Sequence, residues 1–166
     1  MKGPKLLLRP VMRPIIRWLK FFNYNTFFID GDKSRVSIGE RCGLANTLFN
    51  TASGSITIGD RCIFGYNVML LTGRHNFNHG VRASISNPTT DGNWGGGEIE
   101  VPAHGRDITI GTGCWVASGV TVSGGVTIGA NCIISAGSIV TRSIPSGSIA
   151  AGIPAKVIGS TNSILG

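Results

Sequence analysis

Two of the chain's three histidines, His75 and His79, fall within the ten residues "LTGRHNFNHG" (71–80), beside Arg74. A neutral imidazole, titrating near ~6.5, takes a proton from a hydroxyl at physiological pH and so turns an alcohol into a nucleophile. Three imidazoles converging on zinc would do different chemistry, with a metal-bound water as the attacking group. Here the third histidine, His104, follows His79 by twenty-five residues, and His79 follows His75 by four. Residue type alone leaves both chemistries open, together with a plain reading as solvated loop residues. The cysteines, Cys42, Cys62, Cys114 and Cys132, form no CxxC pair, which argues against a structural zinc site.

The chain has to position these groups. With 166 residues, 42% hydrophobic and 14% charged, it suits one globular unit and is not a disordered chain. Its 25 glycines exceed the usual ~7% share and point to turns at fixed places. From Ile110 the sequence divides into blocks of six, "IGTGCW VASGVT VSGGVT IGANCI ISAGSI VTRSIP", each opening on Ile or Val. The fifth positions are Cys114, Val120, Val126, Cys132, Ser138 and Ile144, and the second is usually Gly, Ala or Ser. The same register appears in "IGERCG LANTLF" and, two residues further on, in "ASGSIT IGDRCI FGYNVM". A unit this short cannot bury its own apolar face, so successive turns must stack into a solenoid with one continuous core. Three blocks per turn would stack residues eighteen apart. Cys114 and Cys132 then lie one above the other, as small inward hydrophobes rather than a disulfide.

This pattern resembles the hexapeptide-repeat acyltransferases over residues 32–158. "VTRSIPSGSIAAGIPAKVI" (140–158) is similar to the last coil and C-terminal loop of the sugar O-acetyltransferase branch. "CWVASGVTVSGGVTIG" is similar to its Trp-containing coil, and "TGRHN" to its catalytic-His segment. The resemblance implies an all-β fold, a left-handed parallel β-helix solenoid, in a hand that the general crossover rule does not supply. It also implies a homotrimer with sites between subunits, and acetyl-CoA as acyl donor to a sugar or glycan acceptor in surface polysaccharide synthesis. In that frame His75 is the general base, with direct transfer and no covalent intermediate. The backbone N–H of Ser118 is the oxyanion donor, while Asn46 binds the acceptor and Trp115 lines its site. Small Ala117 and Ala136 leave room for a pantetheine arm beside Ser118, and Thr141, Arg142 and Lys156 match the positions near the nucleotide and phosphates. Acids that often follow the Asn are replaced here by "NTAS" (50–53), and Lys-Asp by Arg142-Ser143, so acceptor and phosphate contacts are expected to differ.

Residues 73–107 break the period as an inserted loop, longer than most loops in compact domains. Its Gly95, Gly96 and Gly97 suit a mobile or tightly turned segment, and Trp94 is a candidate to cover substrate, unless the loop packs on a neighbouring subunit. Residues 1–31 form a separate basic, apolar segment, and 159–166 a tail. Lys2, Lys5, Arg9, Arg13, Arg17 and Lys20 stand without an acid, as a stripe opposed by Leu6, Leu7, Val11, Ile15, Trp18 and Leu19. Pro10 and Pro14 should kink any helix there. The run is too charged to span a bilayer and lacks a signal-peptide cleavage signature. A peripheral contact through residues 2–20 with an anionic, cytoplasmic membrane face is one expectation, and packing on the trimer the other.

Outside that segment nine cations meet eight acids, which leaves no extended basic face for nucleic acid. The histidine spacing does not resemble that of the γ-type carbonic anhydrases, which share the fold and bind zinc. No metal is expected. An amino-sugar N-acetyltransferase of the same fold is the main rival, and a non-catalytic β-helix scaffold a lesser one.

Overall fold

A computed structural model describes residues 14–15, 27–75, 77–78, 81–82 and 101–163. The hexads become short strands on three parallel faces of a left-handed β-helix. Face A stacks Phe27–Asp30, Thr47–Asn50, Met69–Leu71, Thr121–Ser123 and Ile139–Val140. Face B stacks Val36–Ile38, Ile56–Ile58, Ile108–Ile110 and Thr127–Ile128. Face C stacks Gly43–Leu44, Ile63–Phe64, Trp115–Val116, Ile133–Ile134 and Ser148–Gly152. An antiparallel strand, Ala155–Ser160, pairs with Ser148–Gly152 and covers the last edge of face C. The chain thus joins face A at Phe27, upstream of residue 32.

Each hexad contributes its first and fifth side chains to the interior. Val116, Val120, Val122, Ile128, Ile134 and Val140 are fully buried, as are Leu70, Ile56 and Phe49. The fourth position turns the corner with a positive φ, taken by Gly113, Gly119, Gly125 and Gly137 and, without glycine, by Arg41, Arg61, Asn67 and Asn131. The left-handed region costs a side chain roughly 1–2 kcal/mol, least for Asn, which explains the Gly and Asn at these corners. All four cysteines are free and stack in one column. Cys42, Cys62, Cys114 and Cys132 each direct a thiol at a carbonyl of the following coil, 3.0–3.2 Å away. A hydrogen bond shared with Cys62, together with burial, pushes the Cys114 thiol well above the ordinary range.

Apart from the inserted loop, two coils depart from the period. In the last, Ile144 lies opposite Ile128, a first position, only four residues after Val140, so the corner between them is two residues short and Ile144 is not the fifth residue of its block. The other departure comes earlier. The stretch "LANTLF" reads as an ordinary hexad with Leu48 inward, but the residues buried there are Thr47 and Phe49. Asn46 takes φ 51° and closes its corner one residue early, which flips the strand that follows. Three residues are regained at the next corner, between Phe49 and Ile56, so Cys42 and Cys62 stand twenty residues apart and remain in register. That enlarged corner lies on the edge from which residues 73–107 depart.

The outward rows differ in character. Face B presents Ser37, Thr57, Thr109 and Thr127. Face A presents Phe28, Leu48, Met69, Thr121 and Ile139, and face C presents Ile63, Trp115, Ile133 and Ile149. Phe28, Ile63 and Trp115 are each more than half exposed.

Phe49 is fully buried and meets Phe27 edge-on, with ring centroids 5.5 Å apart. Phe49→Ala should therefore destabilise the protein by about 3–5 kcal/mol, read as a lower urea midpoint at unchanged slope.

Candidate active site

The three faces meet at three edges, and two of them collect the residues singled out in the sequence. The edge from face C to face A carries Asn46 in one coil, Ala117 and Ser118 two coils on, and Ala136 in the next. Trp115 stands on face C just before this edge, 53% exposed. Lys156 lies opposite Ala151 in the closing strand, exposed, below Ser135. The other edge, from face A to face B, carries His75, where the chain leaves its coil, and the exposed Thr141 and Arg142 two coils below. In one chain His75 and Ser118 are therefore separated by the width of face A, about five residues at ~3.3 Å each. Trp94 and His79 lie outside the described residues. His104 is exposed near the return of the loop.

At the first edge the coils approach closely. A Cβ placed on Gly65 would lie 2.4 Å from the backbone N of Ser118, so only glycine lets the two corners stack. Ser118 Oγ accepts the Tyr66 N–H at 3.1 Å, and Ser118 C=O accepts the Gly137 N–H at 2.9 Å. The Ser118 N–H itself donates to no other described residue. Ser118 lies on an exposed corner. Asn46 is half-buried, and its Nδ2 donates to Asn67 Oδ1 at 2.8 Å, so part of its capacity ties neighbouring corners together.

At the second edge the chain is held up to the histidine. Thr72 N–H donates to the Asn50 carbonyl at 3.1 Å, Gly73 N–H to Asn50 Oδ1 at 2.9 Å, and Arg74 N–H to Ser53 Oγ at 3.2 Å. The returning end of the loop uses the same cradle. Arg106 N–H donates to the Ser53 carbonyl at 3.1 Å, and Asp107 Oδ1 accepts the Ser55 N–H at 2.7 Å. Arg35 Nη1 donates to the Ala103 carbonyl at 2.7 Å. Just past His75, Phe77–Asn78 pairs antiparallel with Val81–Arg82. Sequence reasoning passed over Asn50, Ser53 and Thr72, reading "NTAS" only as an absence of acids. A signal was present, a run of short polar residues at a corner three residues longer than the period allows. Among the described residues no group of three or more His, Cys, Asp or Glu is placed to hold a metal, and no helix is long and apolar enough to cross a membrane.

Comparison with known proteins agrees with this architecture. Residues 107–142 match the family of the bacterial transferase hexapeptide (six repeats). Over 108 residues it is 38% identical to the galactoside O-acetyltransferase of Escherichia coli (strain K12), an alignment covering 65% of this chain and 45% of that one. The chain spans about half the length of that relative. The structure of a maltose O-acetyltransferase from Clostridium difficile 630 superposes with a TM-score of 0.55 at 27% identity, covering 82% of this chain and 67% of the other. A galactoside acetyltransferase in complex with coenzyme A gives 0.60 at 28% identity, covering 83% and 60%.

The contact of Gly65 with Ser118 generates a test of the stacking. Gly65→Ala should cost about 1–3 kcal/mol, seen as a lowered melting temperature, because the new methyl would press on the Ser118 backbone N and Cα as well as its Oγ.

Proposed function

We propose that the protein is an acetyl-CoA-dependent O-acetyltransferase that modifies a sugar hydroxyl in cell-surface polysaccharide or glycan synthesis, working as a homotrimer. The observation that carries this is the division of the site between two edges. His75 stands on one, and the unclaimed Ser118 N–H with Ala117 and Ala136 on the other. Neither edge is complete alone, and a second copy that sets its own edge against the first supplies the missing half. The exposed apolar rows of faces A and C, flanking the Ser118 edge, are the surface through which copies would associate. The similarity to galactoside and maltose O-acetyltransferases, one of them bound to coenzyme A, supports the same reading.

In the mechanism, His75 takes the proton of the acceptor hydroxyl as its oxygen attacks the thioester carbonyl. The carbonyl oxygen becomes an oxyanion and accepts the Ser118 N–H, a donor already in place that costs no reorganisation. Collapse breaks the carbon–sulfur bond, and the departing thiolate takes the proton from the His75 imidazolium. The acetyl ester and CoA leave, and His75 is neutral again. Asn46 and Trp115 would hold the acceptor, with Trp94 covering it. Thr141, Arg142 and Lys156, exposed on the two edges, would meet the nucleotide and its phosphates.

The test is CoA release from acetyl-CoA with free and nucleotide-linked sugars, hydroxyl and amino forms compared, in metal-chelated buffer. Turnover of hydroxyl acceptors that falls ~10² or more in His75→Ala, with assembly retained, is expected. Turnover of amino sugars alone would reassign the protein as an N-acetyltransferase, and full activity of His75→Ala would remove His75 as base. The basic segment is proposed to rest on an anionic membrane face. Deleting residues 2–20 should abolish co-sedimentation with phosphatidylglycerol vesicles and spare turnover of a soluble acceptor, whereas loss of the trimer would make the segment structural.

A further inference from the structure

The strand that leads to His75 ends at Leu71, so the regular ladder between coils stops four residues short of the imidazole. The next three backbone N–H groups are nevertheless all claimed by the coil above, and the acceptors change as the chain departs. Thr72 N–H goes to a main-chain carbonyl, that of Asn50; Gly73 N–H goes to the side-chain oxygen of the same Asn50; Arg74 N–H goes to Ser53 Oγ. Two side chains thus carry on a ladder that the backbone alone cannot extend.

Asn50 is the central member of this arrangement. Its Oδ1 also accepts the Ala52 N–H at 3.3 Å, and its Nδ2 donates to Asp30 Oδ2 at 2.9 Å. Donors on one side and a carboxylate on the other define which end of the amide is oxygen. The amide links Asp30 in the first coil to Gly73 in the third, and its rotamer is set from both ends. A Cβ on Gly73 would come within 2.9 Å of the same Oδ1, so the third-coil backbone rests directly against this atom. Thr72 closes the cradle from beneath. Its buried hydroxyl donates to the Asn50 carbonyl at 2.8 Å and accepts the Ser53 N–H at 3.0 Å.

We propose that Asn50, braced by Asp30, is the positioning residue for His75, fixing through Gly73 the direction in which the chain carries the imidazole away from the coil. This rests on the reading of His75 as general base. A base misplaced by about 1 Å loses on the order of 10² in rate, so a single anchor two residues away has leverage on turnover. Gly73 is exposed, so water can replace the lost acceptor. Loss of the anchor therefore acts on geometry more than on stability.

The experiment compares Asn50→Ala, Asn50→Asp, the double variant Asn50→Asp with Asp30→Asn, His75→Ala, and Asn50→Ala combined with His75→Ala. Each is assayed as the full chain with acetyl-CoA and methyl galactoside or maltose, beside its melting temperature. Asn50→Ala should lower kcat by ten- to a hundredfold and leave KM for acetyl-CoA unchanged. Asn50→Asp keeps the oxygen for Gly73 but faces the Asp30 carboxylate, so it should also be slow. The double exchange restores one donor against one carboxylate and should recover most of the rate. In the His75→Ala background, Asn50→Ala should cost nothing more. Full kcat in Asn50→Ala beside an inactive His75→Ala would overturn the positioning role alone. So would an equal loss in both backgrounds, or a double exchange no faster than Asn50→Asp. Full turnover in His75→Ala would overturn the base assignment and this proposal with it.

Discussion

Every coil of this protein lies one hydrogen-bond length from the next, and that spacing governs the rest. Down the edge from face B to face C, the N–H groups of Gly39, Gly59, Gly111 and Gly129 each donate at 2.8 Å to Ile58, Ile110, Ile128 and Ile144. A Cβ on Gly111 would fall 2.5 Å from the Ala130 backbone N, so glycine at this corner follows from the stacking distance itself. The backbone ladders run between neighbouring coils, and stability accumulates largely as a sum of adjacent interfaces. An insertion is tolerated wherever a corner can open without parting the strands on either side. The protein opens the edge between faces A and B twice, by three residues after Phe49 and by a long loop after Leu71, with the second opening directly beneath the first.

That superposition of two departures connects packing to chemistry. A loop leaving a solenoid abandons its ladder partners, and unpaired N–H groups would leave its first residues without a set direction. The extra residues of the coil above bring Asn50, Ser53 and Ser55 to the point where the loop needs acceptors and a donor, and they receive both its ends. Ser53 alone takes Arg74 N–H on its hydroxyl and Arg106 N–H on its carbonyl. The loop therefore leaves and returns at adjacent points, and the perturbation stays at one edge while the core beneath it remains closed.

The regular part was legible for a physical reason. Burial at the first and fifth positions and left-handed corners at the fourth impose a period that a single chain displays, so Val116, Val122, Ile134 and the column of cysteines could be placed inside from spacing alone. The flip at Asn46 could not be seen that way. One lost residue is invisible against "LANTLF", where Leu48 fits the inward pattern as well as Phe49 does, and only the turn at Asn46 decides between them. The cradle around Asn50 lay hidden for a related reason. Its partners, Asp30 and Gly73, are twenty and twenty-three residues away, and the added residues break the arithmetic that would align them. Ser118, Ala117 and Ala136 keep the period, and their common edge was readable.

The two edges differ in how their groups are held, and this bears on their chemistry. The Ser118 N–H belongs to an unbroken corner, pinned by Gly65 above and Gly137 below, and on the proposed reading a donor meeting a developing oxyanion gains from being held in place by that stacking. On the same proposed reading His75 has the opposite requirement. A base would have to reach a proton on an acceptor that enters and leaves, and His75 stands past the last strand residue, on chain held by side chains. An asparagine amide suits that junction because it carries an acceptor and a donor on one short, uncharged arm. It satisfies a departing N–H and a bracing carboxylate at once, without adding a charge beside the imidazole. An aspartate there would supply the acceptor but would oppose Asp30 and place a second negative charge near His75. A leucine would fill the space and leave the Gly73 N–H to solvent. The polar run at 50–53 is thus matched to the geometry of this edge.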